Sequence, residues 1–397
     1  MSSVPVTDGR HLAVAPAPRA KARVLDRPLT SYYLVLGSAA MLVVVGLAMV
    51  LSSSSVSSYQ SSGNSYALFT KQLMWVGIGL PIAMLVYRTP LAWIRRAGGP
   101  LILATGAGLL LVLVPGFGIT AYGAQRWIGT GSLTIQPSEF GKLALALWGA
   151  ELLVRKHRLL GEWRHLLVPL LPVGLALCAL VMLEPDLGTT ICLLLVLLTL
   201  LWVVGAPGKL FACVAGGLGF VGGLLAILEP YRLARLTSFL HPFEQAHTNG
   251  YQAVQGIYAL SSGGWWGEGL GASHEKWDYL PNAHTDFIFA ILGEELGLFG
   301  TLLVLVLFGL LGYAGIRIAY RTTDSFVRLA AAGITVWLIG QAMVNIGAVV
   351  GLLPITGIPL PLISFGGSSL VPTLIAVGLL ASFARTERGV PRGRRVR

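Results

Sequence analysis

Residues 281–316, PNAHTDFIFAILGEELGLFGTLLVLVLFGLLGYAGI, decide the fold. From Phe287 to Ile316 the stretch is helix-compatible and almost wholly apolar, about thirty residues or ~45 Å at the helical rise. The hydrocarbon of a bilayer needs only about twenty. Arg317 fixes one end of the span, so the surplus protrudes at the other, and the helix leaves the oil near Gly297. Glu294 and Glu295 then lie at the boundary and Asp286 lies beyond it. The distinction matters because an ionised side chain at mid-bilayer costs about 2.5 kcal/mol or more, and such groups are retained for function.

The rest of the chain repeats that signature. Its 397 residues are 55% hydrophobic and 11% charged, with a mean hydropathy of +0.75; a soluble domain carries about 25% charged residues. Ten spans are expected, at 31–51, 69–87, 99–115, 137–154, 165–183, 187–205, 209–228, 287–316, 328–350 and 369–385, which makes an all-α polytopic membrane protein. The net charge of +11 suggests nucleic acid at first sight. Its distribution excludes that partner: most Lys and Arg fall in the tails and in alternate connections such as RTPLAWIRR (88–96), VRKHRLLGEWRH (154–165) and RIAYRTTDSFVR (317–328). This is the positive-inside pattern, and it puts both termini in the cytoplasm.

Residues 1–30 are hydrophilic, without the apolar core of a signal peptide, and read as a disordered cytoplasmic tail. Residues 386–397 read as a basic cytoplasmic tail, leaving 31–385 as one membrane unit. Cys178, Cys192 and Cys213 fall inside spans as small apolar residues, so neither a disulfide framework nor a Cys-based metal site is implied. The Ser-rich SSSSVSSYQSSGNSYAL (52–68) is expected to be a flexible connector. The connection 229–285 is far longer than a usual helix–helix link and lies on the outer side. Within it, FEQAHTNGYQAVQGIYAL (243–260) suits a short helix on the membrane surface. The Gly- and Trp-rich SSGGWWGEGLGASHEKWDYLP (261–281) follows, ordered at headgroup depth by its aromatics.

The same outer side gathers the candidate site. AQRWIGTGSLTIQPSEFGK (124–142) leads into the fourth span with Pro137 in the first helical turn. Glu139 and Lys142, three apart, share one helix face and form either a local ion pair or part of a binding site. LEPDLGTT (183–190) makes a tight turn in which Asp186 either caps the next helix or serves the site. Arg126 and Trp127 read as an interface anchor or as ligand contacts, and Asp286 as a helix cap or a reactive acid. His241, His247, His274 and His284 match no zinc spacing and read as solvated loop residues. A cation, several carboxylates and aromatics at one depth would suit a substrate with an anionic head and a lipid tail.

At these residues the chain resembles the SEDS family of FtsW/RodA peptidoglycan polymerases. The segments that carry the likeness are QRWIGTGSLTIQPSEFGKLA, LEPDLGTT, RLTSFLHPFEQAHTNGYQAVQGIYALSSGGWWGEGLG, LPNAHTDFIFAILGEELGLFG and GLLPITGIPLPLISFGGSSL. IPLPLISFGGSSL and the Ser-rich stretch resemble the division-type FtsW branch more than the elongation-type RodA branch. The resemblance implies a glycosyltransferase that polymerises lipid II on the outer face of the cytoplasmic membrane. It implies Asp286, in HTDF, as the essential residue, with Trp127, Glu139, Lys142 and Asp186 as further functional positions on the substrate. The chemistry suits Asp286 as a base or a metal ligand, with Arg126 and Lys142 giving positive charge to a leaving pyrophosphate. The resemblance also implies a divalent cation, Mg2+ or Mn2+, and as partners a class B penicillin-binding protein, other divisome proteins and membrane lipid. The alternative, a lipid II flippase, would need a polar route through the bilayer, and no line of mid-span charges provides one.

Overall fold

The computed structural model describes residues 29–121, 124–131, 133–159, 161–228, 239–248 and 250–387. Most of both expected tails, and residues 229–238 of the long connection with Arg232 and Arg235, lie outside the described residues. Each expected span is occupied by a helix. They are α1 (Thr30–Ser62), α2 (Ala67–Arg88), α3 (Leu91–Leu113), α4 (Pro137–Arg155), the pair α5 (Trp163–Leu167) and α6 (Leu170–Leu183), α7 (Leu187–Val204) and α8 (Gly208–Leu228). After a short helix, α9 (Tyr251–Ser262), come α10 (Ile288–Arg321), α11 (Ser325–Val349) and α12 (Gly367–Ala384). Among the described residues, eight helices are long and apolar enough to cross a membrane. Glu139, Lys142, Glu151 and Arg155 interrupt the apolar run of α4, which is therefore not one of the eight.

That interruption follows from where α4 sits. It packs against α3, α7 and α11 at once, and residues 141–147 are all buried. A helix that touches protein on every side need not present apolar residues to lipid. Around this centre α10 lies between α1 and α11, and α12 lies against α2.

The structure corrects three expectations. The serine-rich stretch is not a connector through most of its length, because α1 continues to Ser62. Its hydroxyls bond back to carbonyls one turn earlier, Ser61 to Ser57 (2.8 Å) and Ser62 to Ser58 (2.7 Å), which keeps serine compatible with helix. Between α3 and α4 a small antiparallel sheet has formed, β1 (Ile119–Ala121), β2 (Ala124–Thr130) and β3 (Leu133–Ile135), in that order. Arg126 and Trp127 are therefore strand residues.

The third correction is α10, which breaks at Gly297 (φ 65°, ψ −161°), where the long helix was expected to leave the bilayer. A break opens carbonyls on one side and amides on the other, and here the 263–269 segment fills both sets. The Glu268 and Gly269 amides donate to the carbonyls of Glu294 (2.9 Å) and Glu295 (3.1 Å). The Leu298 and Phe299 amides donate to the carbonyls of Gly264 (3.0 Å) and Trp265 (3.4 Å). Backbones can approach this closely only without side chains: a Cβ on Gly267 or Gly297 would collide with the opposite main chain.

The two glutamates at the break are buried anchors for the same loop. The Glu294 carboxylate accepts from the Ser273 hydroxyl (2.5 Å) and the His274 amide (2.7 Å). Glu295 accepts from Ser52 of α1 (2.5 Å) and faces the Lys276 ammonium at 3.5 Å. The long connection is thereby folded onto the bundle, and α9 packs on α10 and α11.

Candidate active site

Asp286 lies in the turn just before α10, and three successive carbonyls of that turn are held. His284 accepts from the Phe365 amide (3.0 Å), Thr285 from the Ser364 hydroxyl (2.6 Å) and Asp286 from the Asn345 side-chain amide (2.8 Å). Phe287 next to it is buried. The helix cap position belongs to Phe287, with no side-chain cap bond, so Asp286 is not the cap. The residue as a whole is half-buried, with Oδ2 beside Gly357, where a side chain's Cβ would lie 3.8 Å away. Burial raises the carboxyl pKa above its ordinary value, and the Thr285 hydroxyl and the Arg126 charge oppose that rise.

The supporting segment 350–366 is irregular backbone inside a helical bundle, which is tolerated only where protein satisfies its polar groups. Gln341 of α11 donates to the Pro359 carbonyl (2.9 Å), and Asn345, one turn on, donates to Ile358 (2.8 Å). Gln72 of α2 donates to Ser364 (3.2 Å). Ile358, Leu360, Leu362 and Ile363 are buried beneath these bonds.

Gln341 also joins this segment to the second expected centre. Its Oε1 accepts from the Lys142 ammonium (2.8 Å) and from the Trp337 indole N–H (2.9 Å). Lys142 also donates to Glu139 Oε1 (2.8 Å) and stands over the Trp337 ring at 5.3 Å, fully buried. Glu139 Oε2 is buried without a partner. The pair is thus an ion pair, one of the two readings left open, and it belongs to a network reaching α11 rather than to α4 alone.

Asp186 is a helix cap. Its Oδ1 accepts from the Thr189 amide (3.0 Å), and its Oδ2 accepts from the Thr189 hydroxyl (2.9 Å) and from the Gln136 side chain (3.0 Å). Gln136 is the residue before α4, so Asp186 also ties the start of α4 to the start of α7. Arg126 reaches across from β2, its Nε to the Glu184 carbonyl (2.8 Å) and its Nη2 to the Pro185 carbonyl (2.5 Å). Trp127 follows it on β2 opposite Ile119, half-buried. Arg126, Glu139, Lys142, Asp186 and Asp286 therefore converge at one end of the bundle, with Trp127 adjacent by strand position.

Sequence reasoning missed Gln341, Asn345, Ser364 and Glu184. The first two are amides four apart within an apolar span, a spacing that puts them on one face. Glu184 is 1% exposed, and neither carboxylate oxygen has a hydrogen-bond partner. Burial, then the nearby Asp186 charge, pushes its pKa up to about 8, against the pull of Arg126. His284 is not a solvated loop residue: its ring packs on Phe365 at 5.8 Å, and burial lowers its pKa.

The FtsW/RodA/SpoVE family model, described as "Cell cycle protein", matches residues 32–389. The chain belongs to this family. The probable peptidoglycan glycosyltransferase FtsW of Mycobacterium tuberculosis is 45% identical over 363 residues, 91% of this chain and 69% of that protein. Stage V sporulation protein E of Bacillus subtilis is 41% identical over 351 residues, 88% of this chain and 95% of that one. Among solved structures, a chain of a peptidoglycan synthase complex that coordinates polymerization and crosslinking is 28% identical. It aligns with a TM-score of 0.73 over 88% of this chain and 96% of its own. The rod shape determining protein RodA of Thermus thermophilus is 26% identical, with a TM-score of 0.63 over 90% and 97%. Family membership and the apolar helices together make the chain a multi-pass membrane protein.

Two measurements follow from the buried charges. Lys142→Met leaves the buried Glu139 carboxyl without its ion-pair partner, at a cost of about 3–5 kcal/mol. Thermal melting in detergent will show a large loss that the Glu139→Gln/Lys142→Met double variant mostly restores. For Glu184, the folded-state pKa of about 8 lies above the usual 4.5, so the native state holds its proton more tightly and loses stability as pH rises between those values. Glu184→Gln should melt with the parent near the bottom of that window and above it at the top. A parallel pH slope in the two proteins would rule the assignment out.

Proposed function

We infer that the chain is a peptidoglycan glycosyltransferase that extends glycan strands from lipid II on the outer face of the cytoplasmic membrane, in septal synthesis during division. The observation that carries the reading is the Asp286 turn: its backbone is fixed at three successive carbonyls, and burial raises the pKa of the carboxyl it presents near Arg126. The division role rests on likeness to relatives named FtsW, and the outer face on the basic residues concentrated at the opposite end. A single-span class B penicillin-binding protein is the expected partner, in keeping with a structural neighbour from a complex that also crosslinks. Other divisome proteins and membrane lipid complete its surroundings.

In the reaction the acceptor sugar's 4-hydroxyl attacks the anomeric carbon of the lipid-linked donor, and the carbon–oxygen bond to pyrophosphate breaks. Asp286 takes the hydroxyl proton; its raised pKa makes it a stronger base than an exposed carboxylate. An in-line displacement converts an α-linked donor into a β-linked product. Arg126 supplies positive charge toward the leaving pyrophosphate, with Lys142 contributing from beneath.

A divalent cation fits this donor set only as a shared ligand. Among the described residues no group of three His, Cys, Asp or Glu could cage a metal, and both Asp186 oxygens are committed. Mg2+ or Mn2+ needs no such cage where substrate phosphates and water complete the shell. In place of the base role Asp286 would hold it, with Glu139 Oε2 as a further carboxylate oxygen without a partner; bound there, it would neutralise charge on the departing pyrophosphate. Beside the turn, an apolar groove of about 260 Å³ lined by Phe289, Gly293, Leu298, Leu302 and Leu305 offers a seat for an isoprenoid tail. The closed state of Lys142, held by Glu139 and Gln341 against Trp337, argues against the open polar path a flippase needs.

Polymerisation of lipid II by the purified chain with its penicillin-binding partner tests the reading. Asp286→Asn and Asp286→Ala should each lower the rate by about 100-fold or more, the size of a general-base contribution. The parent rate should climb as pH rises through the Asp286 pKa, because only the ionised form accepts a proton. Arg126→Gln removes a charge that holds that pKa down, so its acid limb should move to higher pH. Near-parental activity of Asp286→Asn would dismiss the base assignment.

A further inference from the structure

At the far end of α4, about 20 Å from Pro137 at the helical rise, a cleft of about 290 Å³ opens between α3 and α4. Arg95, Arg96 and Arg155 line it together with Glu151, above a floor of Trp148 and Leu152. Asp324 holds Arg95 (Nη2 to Oδ1, 2.5 Å), whose guanidinium also covers the Phe326 ring at 5.1 Å. Arg155 reaches Glu151 at 2.9 Å. Arg95 Nε and Glu151 Oε2 face each other at 3.9 Å, too far to bond, and each is buried without a hydrogen-bond partner. Arg96 is exposed and lies 5.9 Å from the ring of Trp93, itself 63% exposed. Three guanidiniums thus meet two carboxylates, leaving a net positive cleft with polar groups not fully used.

We propose that this cleft binds the phosphodiester headgroup of an anionic phospholipid. Arg96 and Arg155 take the phosphate oxygens, and the glycerol and upper acyl chains lie on Trp148 and Leu152. Three features favour a lipid over a soluble anion. The floor beneath the arginines is apolar, which a free phosphate cannot use. An exposed tryptophan beside a cationic rim marks the headgroup depth of a bilayer. The cleft also lies at the end where basic residues concentrate, and basic pockets between helices on that side suit anionic headgroups. The Asp286 reading is not needed for any of this.

Native mass spectrometry of the delipidated full chain in detergent tests the proposal, with phosphatidylglycerol and phosphatidylcholine of matched acyl chains as probes. The parent should retain phosphatidylglycerol over phosphatidylcholine by about tenfold, and Arg96→Gln/Arg155→Gln should bring that ratio close to one. Arg158→Gln/Arg164→Gln, which removes exposed charge nearby but outside the cleft, should keep the preference. Arg96→Gln alone, an exposed position, should lose part of it and serves if the double variant does not fold. A preference unchanged by the cleft substitutions would overturn the site, as would an equal loss in both double variants. Displacement of the lipid by millimolar inorganic phosphate would assign the cleft to a free anion instead.

Discussion

In an apolar bundle every buried carbonyl must find a donor, and leaving one unpaired costs about 1–3 kcal/mol. Two side chains on α11 meet much of that demand at the site. Gln341 and Asn345 pair the carbonyls of Pro359, Ile358 and Asp286, and Gln341 also takes the Lys142 proton donor. An irregular segment, a reactive turn and a buried ammonium are thus fixed by one helix face. Because each bond serves a different element, loosening that face would disturb the orientation of Asp286 and the placement of Lys142 together.

The Gly297 break obeys the same rule by another route. There no side chain repairs the opened helix; a neighbouring loop does so with its own main chain, and glycines at 267 and 297 make room. Asp286 lies at the head of the short helical piece before the break. Its position is set from below by α11 and from the side by the loop that Glu294 and Glu295 anchor. The carboxylates that drew attention in the sequence therefore divide into two that build the scaffold and one, Asp286, that is the candidate reactive acid.

The helices were legible because apolar runs of bilayer length are a strong signal; the break at Gly297 was not, since the span read as one continuous helix. Glu139 and Lys142 were legible as neighbours by their spacing. What surrounds them was not, because Gln341 and Asn345 come from another helix two hundred residues on, and only packing joins them. The serine stretch misled because serine's turn preference holds in water, whereas in a bundle its hydroxyls can bond to the preceding turn. Asp186 was left open between cap and site residue; it caps α7, and its link to Gln136 depends on how α4 and α7 meet. Glu184 lies within LEPDLGTT, yet nothing in that motif shows its isolation, which is a consequence of burial.

α4 connects these observations. Its first two turns carry the Glu139–Lys142 pair next to the candidate catalytic end, and its last turns carry Glu151 and Arg155 at the opposite one. A helix enclosed by protein can hold charges at both ends because each charge meets a partner rather than lipid, and the apolar residues between them pack on α3, α7 and α11. The two ends carry different chemistry, the Glu139–Lys142 network of the candidate site at one and the arginine-lined cleft at the other. The helix between them fixes their separation, so a displacement of one end along its axis carries the other with it.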